Sequence, residues 1–228
     1  MMREINELFN AFAIEPHNLE LYELALTHPS CNSDMNTKHQ DYERLEFVGD
    51  SVIGFVSADL IFKLHPEMDQ GLMSKLRSFL VCSQSLANYN RKYEINEFIR
   101  IGHSISKEQL SKSDKILEDV FEALMGAIYL DQGIAVAYRV VKDILYDDIK
   151  NIAIDDIVDA KTRLQEEIQS EYREAVRYEL IDEWGPPHDR TFVSQVVFNG
   201  IVLGKGSGKS KKAAEEAAAK DALSKRSV

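Results

Sequence analysis

Glu43-Arg44-Leu45-Glu46-Phe47-Val48-Gly49-Asp50-Ser51 lies near the start of a long amphipathic pattern, Asp41–Leu64, that His65-Pro66 ends. Glu43, Glu46 and Asp50 stand at i, i+3 and i+7. At about 100° per residue they fall within roughly 60° of one another on one helix face. Leu45, Val48, Val52 and Val56 take the other side as a core stripe. Further along, Asp119 and Glu122 form a second acidic pair at i, i+3, with Leu117, Val120, Phe121, Leu124 and Ile128 turned away from it.

Like charges at neighbouring helical positions destabilise by roughly a few tenths of a kcal/mol per pair, and no lysine at i+4 relieves either set. Each set is followed four residues later by glycine: Gly54 after Asp50, Gly126 after Glu122. Glycine inside a helix costs about 1 kcal/mol relative to alanine. A face that meets only water has no need of it, so both glycines predict the close approach of another helix or a ligand. The simplest arrangement packs the two helices with their carboxylates converging. Converging carboxylates repel unless a cation sits between them, and oxygen donors of this kind suit Mg²⁺ or Mn²⁺. Carboxylate-held magnesium serves phosphoryl transfer. A solvated acidic face is the alternative that spacing by itself leaves open.

Outward from these motifs, Leu19–Thr27, Leu72–Asn90, Lys107–Ser111, Lys115–Leu130 and Ile134–Tyr146 also read as helices, with a turn at Asp131-Gln132-Gly133. Asp147–Val158 is acidic and without clear periodicity, a linker. Beyond it Lys161–Tyr172 is helical, whereas Val176–Trp184 and Thr191–Phe198 have the β-branched and aromatic residues of strands. Asn199-Gly200 predicts a hairpin turn and Ile201-Val202-Leu203 the return strand. A Gly/Ser/Lys loop then opens an alanine-rich helix, Lys211–Leu223. The expected fold is an all-α domain over residues 1–150, a linker over 151–158, and a small α+β domain of order α-β-β-β-α over 159–228.

The 228 residues carry a net charge of −11, which taken whole argues against a nucleic-acid binder. The distribution says otherwise: residues 156–228 hold 12 Lys+Arg against 13 Asp+Glu, and within Gly204–Arg226 the balance is 7 to 3. An acidic front thus precedes a basic tip. No apolar run approaches the roughly 18 residues of a membrane span, and Met1–Glu7 has no secretory pattern, so a cytoplasmic protein is expected. Cys31 and Cys82 are too few and too far apart for a zinc site or disulfide framework and read as reduced, partly buried thiols.

Gly204-Lys205-Gly206-Ser207-Gly208-Lys209-Ser210, between a strand and a helix, invites a nucleotide-binding P-loop reading. The spacing fails, because three residues rather than four separate Gly204 from Gly208-Lys209. No nucleotide cofactor is expected. Glycines that admit a phosphate, a helix N-terminus, and Lys209, Lys211 and Lys212 would still suit an RNA backbone.

The nine residues Glu43–Ser51 closely resemble the signature of the ribonuclease III family, with Val48 where the family usually has Leu. Asp119-Val120-Phe121-Glu122-Ala123-Leu124 with Gly126 resembles its second acidic motif, and Leu26-Thr27-His28 with Ser30 its short upstream segment. Leu164-Gln165-Glu166 with Gln169, Gly185-Pro186-Pro187-His188 and Lys211-Lys212-Ala213-Ala214-Glu215 together resemble a double-stranded-RNA-binding domain. The resemblance implies an all-α endonuclease domain followed by that small α+β domain. It implies that Glu46, Asp119 and Glu122 hold Mg²⁺, with Mn²⁺ a possible substitute, that Asp50 reaches the ion through water, and that Asp50 and Glu122 are catalytic. Glu43 matches a position nearer the RNA and dimer surface. The signature helix, apolar at Phe47, Val48 and Val52, would pack against its copy in a homodimer, and two sites would make staggered cuts leaving 5′-phosphates and short 3′ overhangs. Gln165, Gln169 and His188 would meet minor grooves, and Lys209, Lys211 and Lys212 the phosphates between. Ribosomal RNA precursors and structured messenger RNA would be substrates. Besides Val48, two further positions depart from the family: Gln70 stands where Glu is common, and Glu215 where Lys often is.

Two other classes compete with an endonuclease. A non-catalytic dimeric RNA-binding protein is opposed by the intact acidic set, since a pure binder gains nothing from carboxylates near phosphates. A helical magnesium enzyme for a small pyrophosphate is opposed by the second domain.

Overall fold

The first unit, Met1–Ile152, is built from helices α1 (Ile5–Phe12), α2 (Leu19–Ala25), α3 (Ser30–Met35), α4 (Glu43–Leu64), α5 (Gln70–Leu80) and α6 (Ser83–Lys92). A 3₁₀ turn at Ile95–Phe98 leads to α7 (Lys107–Lys112), α8 (Asp114–Gln132) and α9 (Ile134–Asn151). The second unit, Ala153–Val228, contains α10 (Ala160–Tyr172), β1 (Arg177–Trp184), β2 (Thr191–Phe198), β3 (Ile201–Gly208) and α11 (Lys211–Arg226). The computed structural model describes residues 4–35, 41–153, 159–186 and 189–226. Among them no helix is long and apolar enough to cross a membrane.

Helix α8 is the axis of the first unit. Its residues from Leu117 to Ile128 are buried except Glu118, as expected of a helix enclosed on all sides. Ser113 caps it by accepting from Ile116 N at 3.4 Å. α4 makes the largest helix contact with it, through Leu45, Val52, Ile53, Val56 and Leu60, all buried. Asp131, near the C-terminus of α8, accepts from the backbone N–H of His17 and Asn18 and from the Tyr22 hydroxyl at 3.0, 2.7 and 2.8 Å. It thereby ties the start of α2 to α8.

Three expectations change. Leu72–Asn90 is two helices, because the chain becomes extended at Cys82 before Ser83 begins α6. Cys82 is exposed and Cys31 half-buried, and neither forms a disulfide. The helix after Gly133 runs on to Asn151, past the expected end at Tyr146, because Ile149 is a further buried anchor.

In the second unit the three strands form an antiparallel sheet in the order β1-β2-β3. Asn199 and Gly200 take φ of 47° and 77°, the positive pair that a two-residue hairpin turn demands. Leu164, Ile168, Val196, Ala218, Ala219, Ala222 and Leu223 form its core, with Tyr178, Phe198 and Leu203 packed against them. The glycines expected in a loop lie instead on β3 and face α11: a Cβ on Gly206 would stand 2.2 Å from Ala218 N. Gly204, Gly206 and Gly208 alternate with outward residues and meet the alanines of α11, so small residues on both sides let helix and sheet approach closely.

Candidate active site

Helices α4 and α8 cross at glycines. A Cβ on Gly49 would stand 1.7 Å from the Glu122 carbonyl oxygen, and one on Gly126 2.3 Å from that of Leu45. Only residues without a side chain permit backbones so near. Gly126 therefore behaves as its spacing predicts, whereas Gly54 meets open space within one protomer. Its place at the crossing is taken by Gly49.

That approach brings the acids together. Glu46, Asp119 and Glu122 each offer one carboxylate oxygen, and the three oxygens lie within 4.8 Å of one another. Asp119 and Glu122 are only 7% exposed, Glu46 is half-buried, and Asp50 and Glu43 are exposed at the rim. Burial, followed by the charges of Asp50, Glu118 and Glu46, pushes the Glu122 carboxyl up to about 8. Burial also raises Asp119, against the pull of Lys115. Glu46 is raised by burial and then by Asp119.

Two residues that spacing did not reveal complete the site. Lys115, one turn before Asp119, places Nζ 2.6 Å from Asp119 Oδ1, 3.5 Å from Glu118 Oε2 and 3.6 Å from Glu46 Oε1. A lysine thus does relieve the second acidic set, from i−4 rather than i+4. On the other side the Tyr42 hydroxyl donates to Asp119 Oδ2 at 3.4 Å, and burial followed by the charge of Asp119 raises the phenol. The His28 ring sits edge-on to Tyr42 at 5.7 Å, and Tyr42 N donates to Thr27 O. The Leu26–Ser30 segment is therefore the backing of the wall that holds Asp119.

A divalent cation fits this donor set. Asp119 Oδ1 is buried, and what faces it is already a cation, the Lys115 ammonium at 2.6 Å. The donors are all carboxylate oxygens, which suit a hard ion, and the upward shift at Glu122 marks a place that disfavours further negative charge until a cation offsets it.

A Ribonuclease-III-like family model matches residues 18–149, more than half of the chain. The chain belongs to the ribonuclease III family. A double-stranded RNA binding motif matches residues 160–226. The chain is 40% identical over 224 residues to Ribonuclease 3 of Onion yellows phytoplasma, covering 98% of this chain and 92% of that one. It is 37% identical to Ribonuclease 3 of Lactococcus lactis over 98% and 97% of the two chains. Among solved structures, the nuclease domain of ribonuclease III from Campylobacter jejuni superposes with a TM-score of 0.59 at 29% identity, over 67% of this chain and 100% of that one. As a member of that family the chain is an endoribonuclease for double-stranded RNA, with a helical nuclease domain followed by a double-stranded-RNA-binding domain.

The RNA-facing candidates of that second domain fare unequally. Gln169, Lys211 and Lys212 are exposed. Gln165 uses its side-chain oxygen to accept from Val176 N at 3.2 Å, pinning the entry to β1. Lys209 pairs with Asp189 at 2.7 Å. Glu215, in place of the family's frequent lysine, pairs with Lys161, whose ammonium lies 4.6 Å over the Tyr178 ring. His188 lies outside the described residues, as do residues 154–158 of the expected linker. Gln70 is exposed at the first position of α5.

Proposed function

We propose that the protein cleaves double-stranded RNA in a Mg²⁺-dependent reaction at Glu46, Asp50, Asp119 and Glu122, leaving 5′-phosphates and short 3′ overhangs. The observation that carries this reading is the convergence of three carboxylate oxygens within 4.8 Å, two of them from acids that are almost fully buried. Glu46, Asp119 and Glu122 would hold the ion, with Mn²⁺ a substitute. Bound there, a divalent ion supplies a Lewis acid that makes a water nucleophilic and offsets charge building on the phosphoryl oxygens. The chain's own groups prepare the site. Tyr42 orients Asp119 through Oδ2, and buried Val120, Phe121 and Ala123 exclude water behind the acids. Exposed Asp50, whose charge is the strongest acting on Glu122, holds water at the mouth. Glu43, exposed on the first turn of α4, faces outward toward RNA or a partner.

A homodimer through the signature helix belongs to the same proposal. The expected contact at Phe47, Val48 and Val52 needs revision, since Val52 is in the protomer's own core. Phe47, Phe55 and Phe62 are 78%, 57% and 69% exposed and share one stripe of α4, with Gly54 open between them. An apolar stripe of that kind fits a second copy, and two copies provide two sites for two strands. Phe55→Asp is expected to yield monomers by analytical ultracentrifugation, and an intact dimer would exclude this face. Gln169, Lys211 and Lys212 would engage minor-groove and phosphate groups of the duplex, with residues 1–150 as nuclease, 151–158 as linker and 159–228 as RNA-binding domain. Ribosomal RNA precursors and structured messenger RNA in the cytoplasm are the proposed substrates.

Incubation of a long perfect RNA duplex with the protein, with and without Mg²⁺, tests the reading. Short duplexes with 5′-phosphates and recessed 5′ ends are expected with Mg²⁺ alone. Equal cutting in chelator, or products with 3′-phosphates, would contradict it.

A further inference from the structure

Lys115 stands in an unusual position for a basic residue. Its Nζ reaches Asp119 Oδ1 and Glu46 Oε1, two of the three carboxylates whose oxygens converge. It also reaches Glu118 Oε2, a further acid that raises the carboxyl of Glu122. An ammonium and a divalent ion cannot both sit closely between the Asp119 and Glu46 carboxylates, because each repels the other.

We propose that Lys115 is a tethered cation that competes with the divalent ion for Asp119 and so sets how tightly the site holds that ion. The proposal rests on the metal-site reading above and adds a control on it. The lysine stem is mostly exposed, so the head group can swing outward without disturbing the core. Glu118, on the same helix and 3.5 Å from Nζ, keeps the ammonium near after Asp119 is released. In that position its charge still offsets Glu118, so the excess acid does not remain uncompensated. With the lysine removed, Glu46, Asp50, Glu118, Asp119 and Glu122 gather with no ammonium among them, a more strongly negative cavity that draws divalent ions harder.

Electron paramagnetic resonance of free Mn²⁺, titrated with the full-length protein, tests this directly. K115Q is expected to bind Mn²⁺ more tightly than wild type, on the order of tenfold, the scale on which neighbouring residues tune a metal. K115R, which keeps the charge, is expected to stay near wild type, and D119N to lose the site. In parallel, K115Q should melt below wild type in chelator and gain more from added Mn²⁺. Wild-type binding with K115Q unchanged or weaker would overturn the role of Lys115 alone. A folded wild-type protein that binds no Mn²⁺ would overturn the metal reading and the competition with it.

Discussion

Glu122 shows how a single carboxyl is tuned by its surroundings. It is enclosed by α4 and α8 and lies near three other acids, so its proton is held to about pH 8 against an ordinary value of 4.5. Because the folded state binds this proton more tightly than the unfolded chain, the linked stability is fully present below about pH 4.5 and is lost as pH rises through about 8. In chelator, the melting temperature is therefore expected to fall between pH 5.5 and 8.5. Glu122→Gln should flatten that fall, and an unchanged slope would mean that another group carries it. The same variant is expected to lose cleavage of duplex RNA, because it removes one of the carboxylates that would hold the ion. A filter-binding assay should find its duplex affinity near that of wild type, because no RNA-facing lysine is disturbed. Spacing placed Glu43, Glu46 and Asp50 on one helix face and Asp119 and Glu122 on another, which needs only helical geometry, whereas the selection of Glu46, Asp50, Asp119 and Glu122 as one site came from the family resemblance. Lys115 was not, since it reaches Asp119 from the preceding turn, where a search for lysine at i+4 does not look. Nor could spacing assign Gln165 to Val176 or Lys209 to Asp189, because those partners meet only once the small domain has folded.

At the scale of elements, the acids converge because two helix backbones touch at Gly49 and Gly126. Gly126→Ala must push α4 and α8 apart, and a loss of about 1–3 kcal/mol in urea unfolding is expected. Weaker Mn²⁺ binding should accompany it, since Glu46 then moves from Asp119 and Glu122; full retention of both would separate the glycine from the site. Gly54→Ala meets nothing inside the protomer, so any harm from it should appear in the dimer alone. The need for close packing was legible in Gly126, but the use of Gly49 rather than Gly54 at the crossing was not, as periodicity ranks faces without saying which one meets a neighbour. The glycine run at 204–208 misled in the same way. Its period of two marks a strand face against α11 rather than a loop, and the partner alanines lie on a helix that follows it.

Across the whole molecule, charge is divided as the work is. The acidic front holds the carboxylate site, and Gly204–Arg226 carries the basic excess. Removing everything after Ile152, the end of the first compact unit, is expected to weaken duplex binding and flatten its dependence on salt, because lysine–phosphate contacts release counterions. A salt slope unchanged in the shortened chain would place the contacts in the nuclease unit instead. The order of domains was legible from the switch between helical and strand periodicity. The break at Cys82 and the extension of α9 to Asn151 were not, since each depends on what the flanking side chains pack against.

Crystals of the full chain grown with Mn²⁺ and measured at its absorption edge would locate the ion. An anomalous peak at about 2.1 Å from oxygens of Glu46, Asp119 and Glu122 is the expected result, with Asp50 one water away. Those three acids without a peak between them, in a protein that still cuts duplex RNA, would contradict the account.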